Sequence, residues 1–211
     1  MSRSLPLIRL KHMRTLKVIE HISLDGVIQV SNCGDDFPYG DWTAPYRTPA
    51  GAQAVTAAYG DAFDLLLGRR TYDAWSEWWP KAPESAIGSR INAATKHVVT
   101  HRPDSLQWGP AKALGADFID ELQQIKAHGD RDLILSGSIT LTSAVLESGL
   151  VDEILLIVYP TVLGTGKRLF LEGTPGRSFK LVSTSTTPTG IILSHYAASG
   201  EAIPLLLEQK G

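Results

Sequence analysis

Short apolar runs alternate with helix-forming segments along most of the chain, and this alternation restricts the fold more than any other feature. The run at residues 63–67 (FDLLL) is almost wholly apolar, which is typical of a strand buried on both faces of a parallel sheet. Helices join such strands and cover the sheet, so the pattern predicts an α/β domain. The predicted strands cover residues 15–22, 63–67, 96–100, 132–135 and 154–159. Two predicted helices cover residues 50–59 and 117–127. A third predicted helix begins at a cap on Thr71, and a fourth ends at Ser148 before Gly149.

The pattern changes near the carboxyl terminus. Residues 179–185 and 191–197 are separated by Pro188-Thr189-Gly190, which predicts a β-hairpin with a longer loop. We therefore expect a single-domain, three-layer α/β fold with a mostly parallel central sheet and an antiparallel C-terminal hairpin. Residues 1–13 are assigned to an N-terminal extension, residues 14–198 to the domain and residues 199–211 to a C-terminal segment.

The net charge of the 211-residue chain is −2, but the charge is unevenly distributed. Residues 1–17 carry five basic side chains and no acid, so the remainder carries 15 basic and 22 acidic side chains. Such a body lacks the basic surface that duplex nucleic acid requires, and no nucleic-acid partner is expected. The apolar runs fall short of the ~20 residues that span a bilayer, and the single Cys33 forms no internal disulfide. A cytoplasmic protein without a membrane partner is expected.

Three predicted strand ends carry residues suited to phosphate binding. In α/β sheets, ligands bind beyond the carboxyl ends of the strands, where helix N-termini offer free backbone N–H groups. Glycine lets the backbone approach a ligand, and arginine can bind phosphate through two hydrogen bonds. The three sites are Gly68-Arg69-Arg70-Thr71, Thr100-His101-Arg102 and Ser136-Gly137-Ser138-Ile139-Thr140. Three such ends in one sheet favour a dinucleotide, with a phosphorylated substrate as the competing explanation.

The spacing of the histidines does not predict a metal site, and the spacing of Trp75 and Trp79 does not predict a cofactor site. His97 and His101 have the i, i+4 spacing of a helical zinc site, but they lie on a predicted strand. Their Cβ atoms would be about 13 Å apart at ~3.3 Å per residue, so no metal site is predicted. Trp75 and Trp79 recur on one helix face and are assigned to the core, whereas Trp42 in a long loop is assigned to stacking on a heterocycle.

Several longer segments accompany these strand ends. They are Leu66-Leu67-Gly68-Arg69-Arg70-Thr71-Tyr72, Val98-Val99-Thr100, Leu135-Ser136-Gly137-Ser138, Gly149-Leu150-Val151-Asp152-Glu153-Ile154 and Pro160-Thr161-Val162-Leu163-Gly164-Thr165-Gly166-Lys167-Arg168-Leu169-Phe170. Together they resemble the dihydrofolate reductase superfamily. The resemblance covers residues 14–198 and is closest to the branch with the reductase domain of the riboflavin-biosynthesis deaminase-reductase and its stand-alone relatives.

The resemblance implies an NADPH-dependent reductase that transfers hydride to a small pterin-like or pyrimidine-like heterocycle or to a carbonyl compound. Arginines near the ribose fit NADP better than NAD, which would require a carboxylate there. Implied cofactor-binding residues are Ile28, Gly68, Arg69, Arg70, Thr71, Thr100, His101, Arg102, Ser136, Gly137, Ser138, Ile139 and Thr140. Glu20 would border the substrate, and Trp42 is the stacking candidate.

Two departures from the superfamily pattern bear on function. The chain has Gly137-Ser138 where a Gly-Gly pair is common, which puts the special backbone geometry of that turn in question. Residues 50–60 contain no acid, whereas dihydrofolate reductases keep a buried carboxylate on their first helix. Dihydrofolate is therefore a poor candidate substrate. The candidate proton donors are Asp25, His21, Asp41 and water, and spacing does not choose between them.

Two other functions are compatible with the sequence. One is a nucleotide-binding module of the same fold without catalysis, which the missing helix carboxylate allows. The other is a phosphoribosylamino-pyrimidine reductase of riboflavin biosynthesis, which needs a further phosphate site that Lys167 and Arg168 could supply. A homodimer is also expected, because the C-terminal hairpin and the apolar residues 203–207 would leave an exposed sheet edge.

Overall fold

The computed structural model describes residues 13–30 and 37–202. Residues 1–12 of the expected extension, Cys33 and the apolar residues 203–207 lie outside the described part. The described strands are β1 (Leu16–Ser23), β2 (Phe63–Gly68), β3 (Lys96–Val99), β4 (Ala111–Leu114), β5 (Asp132–Leu135), β6 (Glu153–Tyr159), β7 (Arg177–Thr186) and β8 (Ile192–Glu201). The described helices are α1 (Pro49–Tyr59), α2 (Arg69–Trp78), α3 (Ala86–Ala93), α4 (Phe118–Ala127) and α5 (Ile139–Glu147).

One sheet contains these eight strands, in the order β4-β3-β2-β5-β1-β6-β8-β7. Strands β1 to β6 pair in parallel, while β8 is antiparallel to β6 and β7 is antiparallel to β8. Val18 of β1 lies opposite Leu135 of β5 on one side and Ile154 of β6 on the other. The expected α/β fold, with a mostly parallel sheet and an antiparallel C-terminal hairpin, is confirmed.

Two apolar layers cover the sheet because the central strands are buried on both faces. β2 is buried at every position, which explains its continuous apolar run. Leu65 packs with Tyr72 on the face that α1, α2 and α3 cover. Leu66 packs with Leu122 and Val145 on the face that α4 and α5 cover. Trp75 and Trp79 pack against the first of these layers, as predicted.

The predicted end of α5 is confirmed in detail. Gly149 has φ 73°, a left-handed conformation that glycine adopts without steric penalty. Its N–H donates to the Leu146 carbonyl, and the N–H of Leu150 donates to the Val145 carbonyl. This pair of hydrogen bonds is the Schellman arrangement that ends many helices.

Three features of the structure differ from the sequence prediction. The cap on Thr71 is wrong, because α2 already begins at Arg69 with Gly68 as its N-cap residue and without a side-chain cap. The short strand β4 was not predicted, because its sequence AKAL has no β-branched residue. In the structure β4 is an edge strand that pairs with β3. Helix α3 was also not predicted, although Ser85 caps it by accepting from the N–H of Gly88.

The outer strand β7 leaves a long exposed edge. Positions 180–186 are exposed on both faces, and Leu181 and Val182 are each about half exposed. A single chain does not test the expected homodimer, which stays a prediction. Among residues 13–30 and 37–202, no helix is long and apolar enough to cross a membrane.

Candidate active site

Two helix N-termini meet at the carboxyl edge of the sheet. β2 and β5 are adjacent parallel strands, and each runs into a helix, α2 at Arg69 and α5 at Ile139. Neither N-terminus has a side-chain cap or an acid in its first turn, whereas Thr48 and Ser85 cap α1 and α3. The free N–H groups and the helix dipoles therefore favour an anion at this edge.

The turns that lead into these helices are in close contact. A Cβ atom added to Gly68 would lie 2.2 Å from Oγ of Ser138, and one added to Gly137 would lie 2.9 Å from Oγ1 of Thr71. Gly137 and Ser138 both have left-handed backbone, with φ angles of 66° and 62°. The special turn geometry that the missing second glycine put in question is therefore present.

The carboxyl group of Glu20 lies against the β5–α5 turn. The N–H of Gly137 donates to Oε1 of Glu20 at 2.6 Å, and Glu20 is only 4% exposed. Burial raises the pKa of Glu20 to about 8, although the hydrogen bond from Gly137 acts in the opposite direction. Glu20 therefore contacts the predicted phosphate turn, while its predicted contact with substrate stays a prediction.

Arg69 ties the end of β2 to the loop after β3. It donates to the carbonyl of Arg102 at 3.0 Å, to Oγ of Ser105 at 2.7 Å and to Oγ1 of Thr100 at 3.4 Å. Its Nε also pairs with Asp73 at 2.8 Å. The guanidinium group of Arg69 is thus committed to internal contacts that shape this edge.

Three basic side chains at the same edge remain open to solvent. Arg70 is exposed and has no side-chain hydrogen bond or ion pair within the described part of the chain. His101 is also exposed, and the Arg102 side chain is 64% exposed with one contact to Asp73 at 3.2 Å. Arg70 follows β2, and His101 and Arg102 follow β3, at two of the three strand ends predicted to bind phosphate.

The remaining predicted cofactor residues lie at or near the start of α5. Ile28 is buried with Ile22 and Leu169 and packs with Ile139 of the first turn. Thr140 is exposed in the same turn. The structure thus brings the three predicted strand ends to one edge of the sheet, and their contact with a cofactor stays a prediction.

An aromatic cluster lies at the ends of β1 and β6. Tyr159 is 4% exposed and meets Trp42 and Tyr46 edge to face, with ring centroids 5.2 and 5.6 Å away. Nδ1 of His21 lies 2.8 Å from the Tyr159 hydroxyl. The indole N–H of Trp42 donates to the Gln29 carbonyl at 2.7 Å, which fixes the ring in the cluster.

Both members of the His21–Tyr159 pair are neutral at pH 7. Burial, with a smaller effect of the positive Arg47, lowers the pKa of His21 to about 4. Burial raises the pKa of Tyr159 to about 12. Asp41 is exposed and forms an ion pair with Arg47 at 2.6 Å, so this candidate donor is held by a cation beside the cluster.

Asp25 connects the end of β1 to the loop after β6. Its carboxylate accepts hydrogen bonds from Ser23 at 2.7 Å, from the N–H of Leu163 at 3.1 Å and from the N–H of Gly164 at 2.8 Å. The bond from Ser23 is the main cause that lowers the pKa of Asp25 to about 2. Arg168 donates to the Asp25 carbonyl at 2.9 Å. Asp25 is therefore ionised at neutral pH and serves as an anchor for this loop.

Sequence reasoning missed four residues of this region. Tyr159 is the last residue of β6, so the rule applied to the other strand ends could have found it. A loop brings Tyr46 and Arg47 close to Tyr159, and no local sequence pattern predicts the course of that loop. Tyr59 ends α1, and burial raises its pKa to about 12. α1 itself carries no acid.

A metal centre has no support in the described part of the chain. Among residues 13–30 and 37–202, no group of three or more His, Cys, Asp or Glu side chains is placed to hold an ion.

Comparison with known proteins gives the family. The family model for the RibD C-terminal domain matches residues 14–193. The uncharacterized protein YyaP of Bacillus subtilis (strain 168) is 27% identical over 140 residues, which cover 64% of this chain and 74% of YyaP.

Solved structures give the fold. One is the diaminohydroxyphosphoribosylaminopyrimidine deaminase/5-amino-6-(5-phosphoribosylamino)uracil reductase of Thermotoga maritima, with a TM-score of 0.63 and 10% identity over 89% of this chain and 57% of that one. Another is the dihydrofolate reductase of Enterococcus faecalis in complex with NADP(H), with a TM-score of 0.57 and 14% identity over 88% of this chain and 96% of that one. The expected dihydrofolate reductase-like fold is therefore confirmed.

Proposed function

This chain belongs to the RibD C-terminal domain family, a family of reductases, and from that premise we propose that it is an NADPH-dependent reductase of a small heterocyclic or carbonyl compound. The main support is the carboxyl edge, where two uncapped helix N-termini meet through the contact of Gly68 with Ser138. That edge fits the phosphates of a dinucleotide.

Different residues at this edge would bind different parts of the cofactor. The N–H groups at the start of α5, from Ser138 to Thr140, would bind the pyrophosphate. Arg70 and Arg102 would bind the 2′-phosphate, because their side chains are exposed at this edge and guanidinium groups bind phosphate well. When bound, NADPH supplies the hydride. Arg69 acts indirectly, since it holds the loop that carries Arg102.

The aromatic cluster would hold the substrate. Trp42 and Tyr159 offer apolar ring surface, and the neutral His21–Tyr159 pair offers hydrogen bonds without a charge. With Tyr159 donating to Nδ1, the proton of His21 lies on Nε2, from which it can polarise a C=N or C=O bond. Neither Asp25 nor His21 carries an acidic proton at pH 7, so neither of them would supply the proton that completes the reduction.

The test of catalysis is NADPH oxidation with a panel of pterins, flavin precursors and small aldehydes. We expect turnover of at least one compound, and His21→Gln should lower kcat about 10²-fold because it removes the polarising imidazole. The affinity for NADPH should not change. His128→Gln is the control, since His128 is exposed at the end of α4. NADPH binding without turnover of any compound would favour the binding-module alternative.

Cofactor choice gives a second prediction. NADPH should raise the melting temperature more than NADH, and Arg70→Ala should raise the Kd for NADPH about tenfold, since a charge-assisted hydrogen bond contributes ~1.5 kcal/mol. The Kd for NADH should stay constant. Lys180→Ala, an exposed change on β7, is the matched control. Equal stabilisation by both cofactors, or by neither, would argue against the proposal.

The phosphoribosylamino-pyrimidine alternative needs a phosphate site near Lys167 and Arg168. Arg168 is 51% exposed, but its guanidinium group already contacts both the carbonyl and the carboxylate of Asp25. A phosphorylated substrate would have to share this cation with Asp25. A reductase of another small heterocyclic or carbonyl compound is therefore the favoured function.

A further inference from the structure

Glu20 occupies an unusual position for a carboxyl group. It lies in β1 opposite Leu156 of β6, two residues beyond the last pairing of β1 with β5, and is buried against the turn that leads into α5. Its Oε1 accepts the N–H of Gly137 at 2.6 Å. Gly137 immediately precedes the left-handed Ser138, and the N-terminus of α5 that follows has no side-chain cap.

Among residues 13–30 and 37–202, no positive side chain pairs with Glu20, and only burial and the Gly137 hydrogen bond act on its pKa. The titratable group whose charge interacts with Glu20 is Tyr59 at the end of α1. Burial raises the pKa of Tyr59 to about 12, so it is protonated and uncharged at pH 7. The turn at residues 136–138 contains no ionisable side chain. A charge on Glu20 would therefore be balanced only by the Gly137 amide.

The two protonation states of Glu20 act differently on a bound anion. A neutral carboxyl group holds Gly137 and adds no charge next to the phosphates. An ionised carboxylate still accepts the hydrogen bond, but it places a negative charge beside the turn, where low polarity strengthens the repulsion. Binding of a phosphate and ionisation of Glu20 should therefore oppose each other.

We propose that Glu20 is a positioning residue of the phosphate-binding turn and that it must carry a proton for NADPH to bind tightly. This inference rests on the proposed use of NADPH. It assigns Glu20 to the cofactor turn in addition to any contact with substrate, and it makes cofactor affinity depend on pH through one residue.

The test compares the wild type with Glu20→Gln, which keeps an acceptor for the Gly137 N–H and cannot ionise. For the wild type, the Kd for NADPH should rise about tenfold from pH 7 to pH 9, as expected when a group with a pKa of about 8 must be protonated. For Glu20→Gln it should change less than about twofold. Lys96, whose pKa burial lowers to about 8, is present in both proteins and cancels in the comparison.

Glu147→Gln is the matched control, because Glu147 is exposed at the far end of α5. It should behave as the wild type at every pH. An equal pH dependence in the wild type and Glu20→Gln would overturn the inference. So would a Glu20→Gln protein that binds NADPH at pH 7 as weakly as the wild type does at pH 9.

Thermal unfolding without cofactor separates this inference from the proposed function. The pKa of Glu20 is raised in the folded state, so its contribution to stability is present in full below the unfolded pKa and declines as pH rises through about 8. The melting temperature of the wild type should therefore fall further than that of Glu20→Gln between pH 7 and pH 9. If NADPH binds at no pH, the proposed function fails while this melting difference still reports the titration of Glu20. If the melting curves of the two proteins shift equally, the titration itself is refuted.

Discussion

Gly68→Ala is expected to destabilise the protein by about 2–3 kcal/mol and to weaken NADPH binding at least about tenfold. The added Cβ would lie 2.2 Å from Oγ of Ser138 and 2.7 Å from its Cβ. Gly68 has φ −75°, which every residue adopts, so the effect comes from the collision and not from the backbone conformation. To relieve the collision, the start of α2 must move away from the start of α5. The N–H groups of the two helices then no longer converge on one anion.

Ser138→Gly provides the matched rescue. It removes the atoms that collide and also relieves the left-handed conformation at φ 62°, which costs a non-glycine residue roughly 1 kcal/mol. The double variant should therefore recover most of the stability and affinity, with a coupling energy of about 1–3 kcal/mol. Chemical denaturation and NADPH titration of the four proteins measure both quantities. A double variant as weak as Gly68→Ala alone would show that the Gly68–Ser138 contact does not determine the site.

The general position of the site could be predicted from sequence because it depends on local patterns. Strands buried on both faces have continuous apolar runs, and the residue that follows each run must lie at the carboxyl edge of a parallel sheet. This rule predicts that Arg70 and Ser138 lie at the same edge of the sheet. It could not show that Arg69 is directed toward the loop after β3, because that direction depends on Ser105 and Asp73.

The aromatic cluster was less predictable because its residues meet through long-range packing. Tyr46 approaches Tyr159 through a loop, and the two residues are more than a hundred positions apart. Burial lowers the pKa of His21, so in the proposed site it would act as a neutral hydrogen-bonding group and not as a proton donor. Burial is a property of the folded chain, so the sequence alone left His21, Asp25, Asp41 and water as equal candidates for the proton donor.

Asp64, at the opposite edge of the sheet, also has a partner that the sequence alone does not predict. The sequence places an acid inside the apolar run of β2 without indicating what would neutralise it. The structure places Arg14 against it, fifty residues earlier in the chain, with both side chains largely buried. Arg14 also donates to the carbonyl of Arg131. One residue from the basic amino-terminal stretch is therefore part of the core.

Arg14→Met is accordingly expected to destabilise the protein by about 3–5 kcal/mol at pH 7, because it leaves the Asp64 carboxylate buried without its partner. Arg131→Met is the control. The guanidinium group of Arg131 lies 3.9 Å from the same carboxylate but is 51% exposed, so its loss should change stability by less than about 1 kcal/mol. Urea denaturation measures both values.

The pH dependence of Arg14→Met tests the cause of that loss. Burial by itself would raise the pKa of Asp64, but interactions with His97 and Arg14 outweigh it and hold the pKa well below its usual range. In the wild type, the contribution of Asp64 to stability is therefore present above the unfolded pKa and is lost as pH falls. In Arg14→Met, burial of the carboxyl group dominates, so protonation of Asp64 relieves the strain on the fold. The difference in stability between the two proteins should thus shrink from pH 7 to pH 4. The affinity of Arg14→Met for NADPH should equal that of the wild type, since Asp64 lies at the amino end of β2, away from Gly68. If the difference in stability between the two proteins is constant with pH, lost packing and not the unpaired charge destabilises the variant.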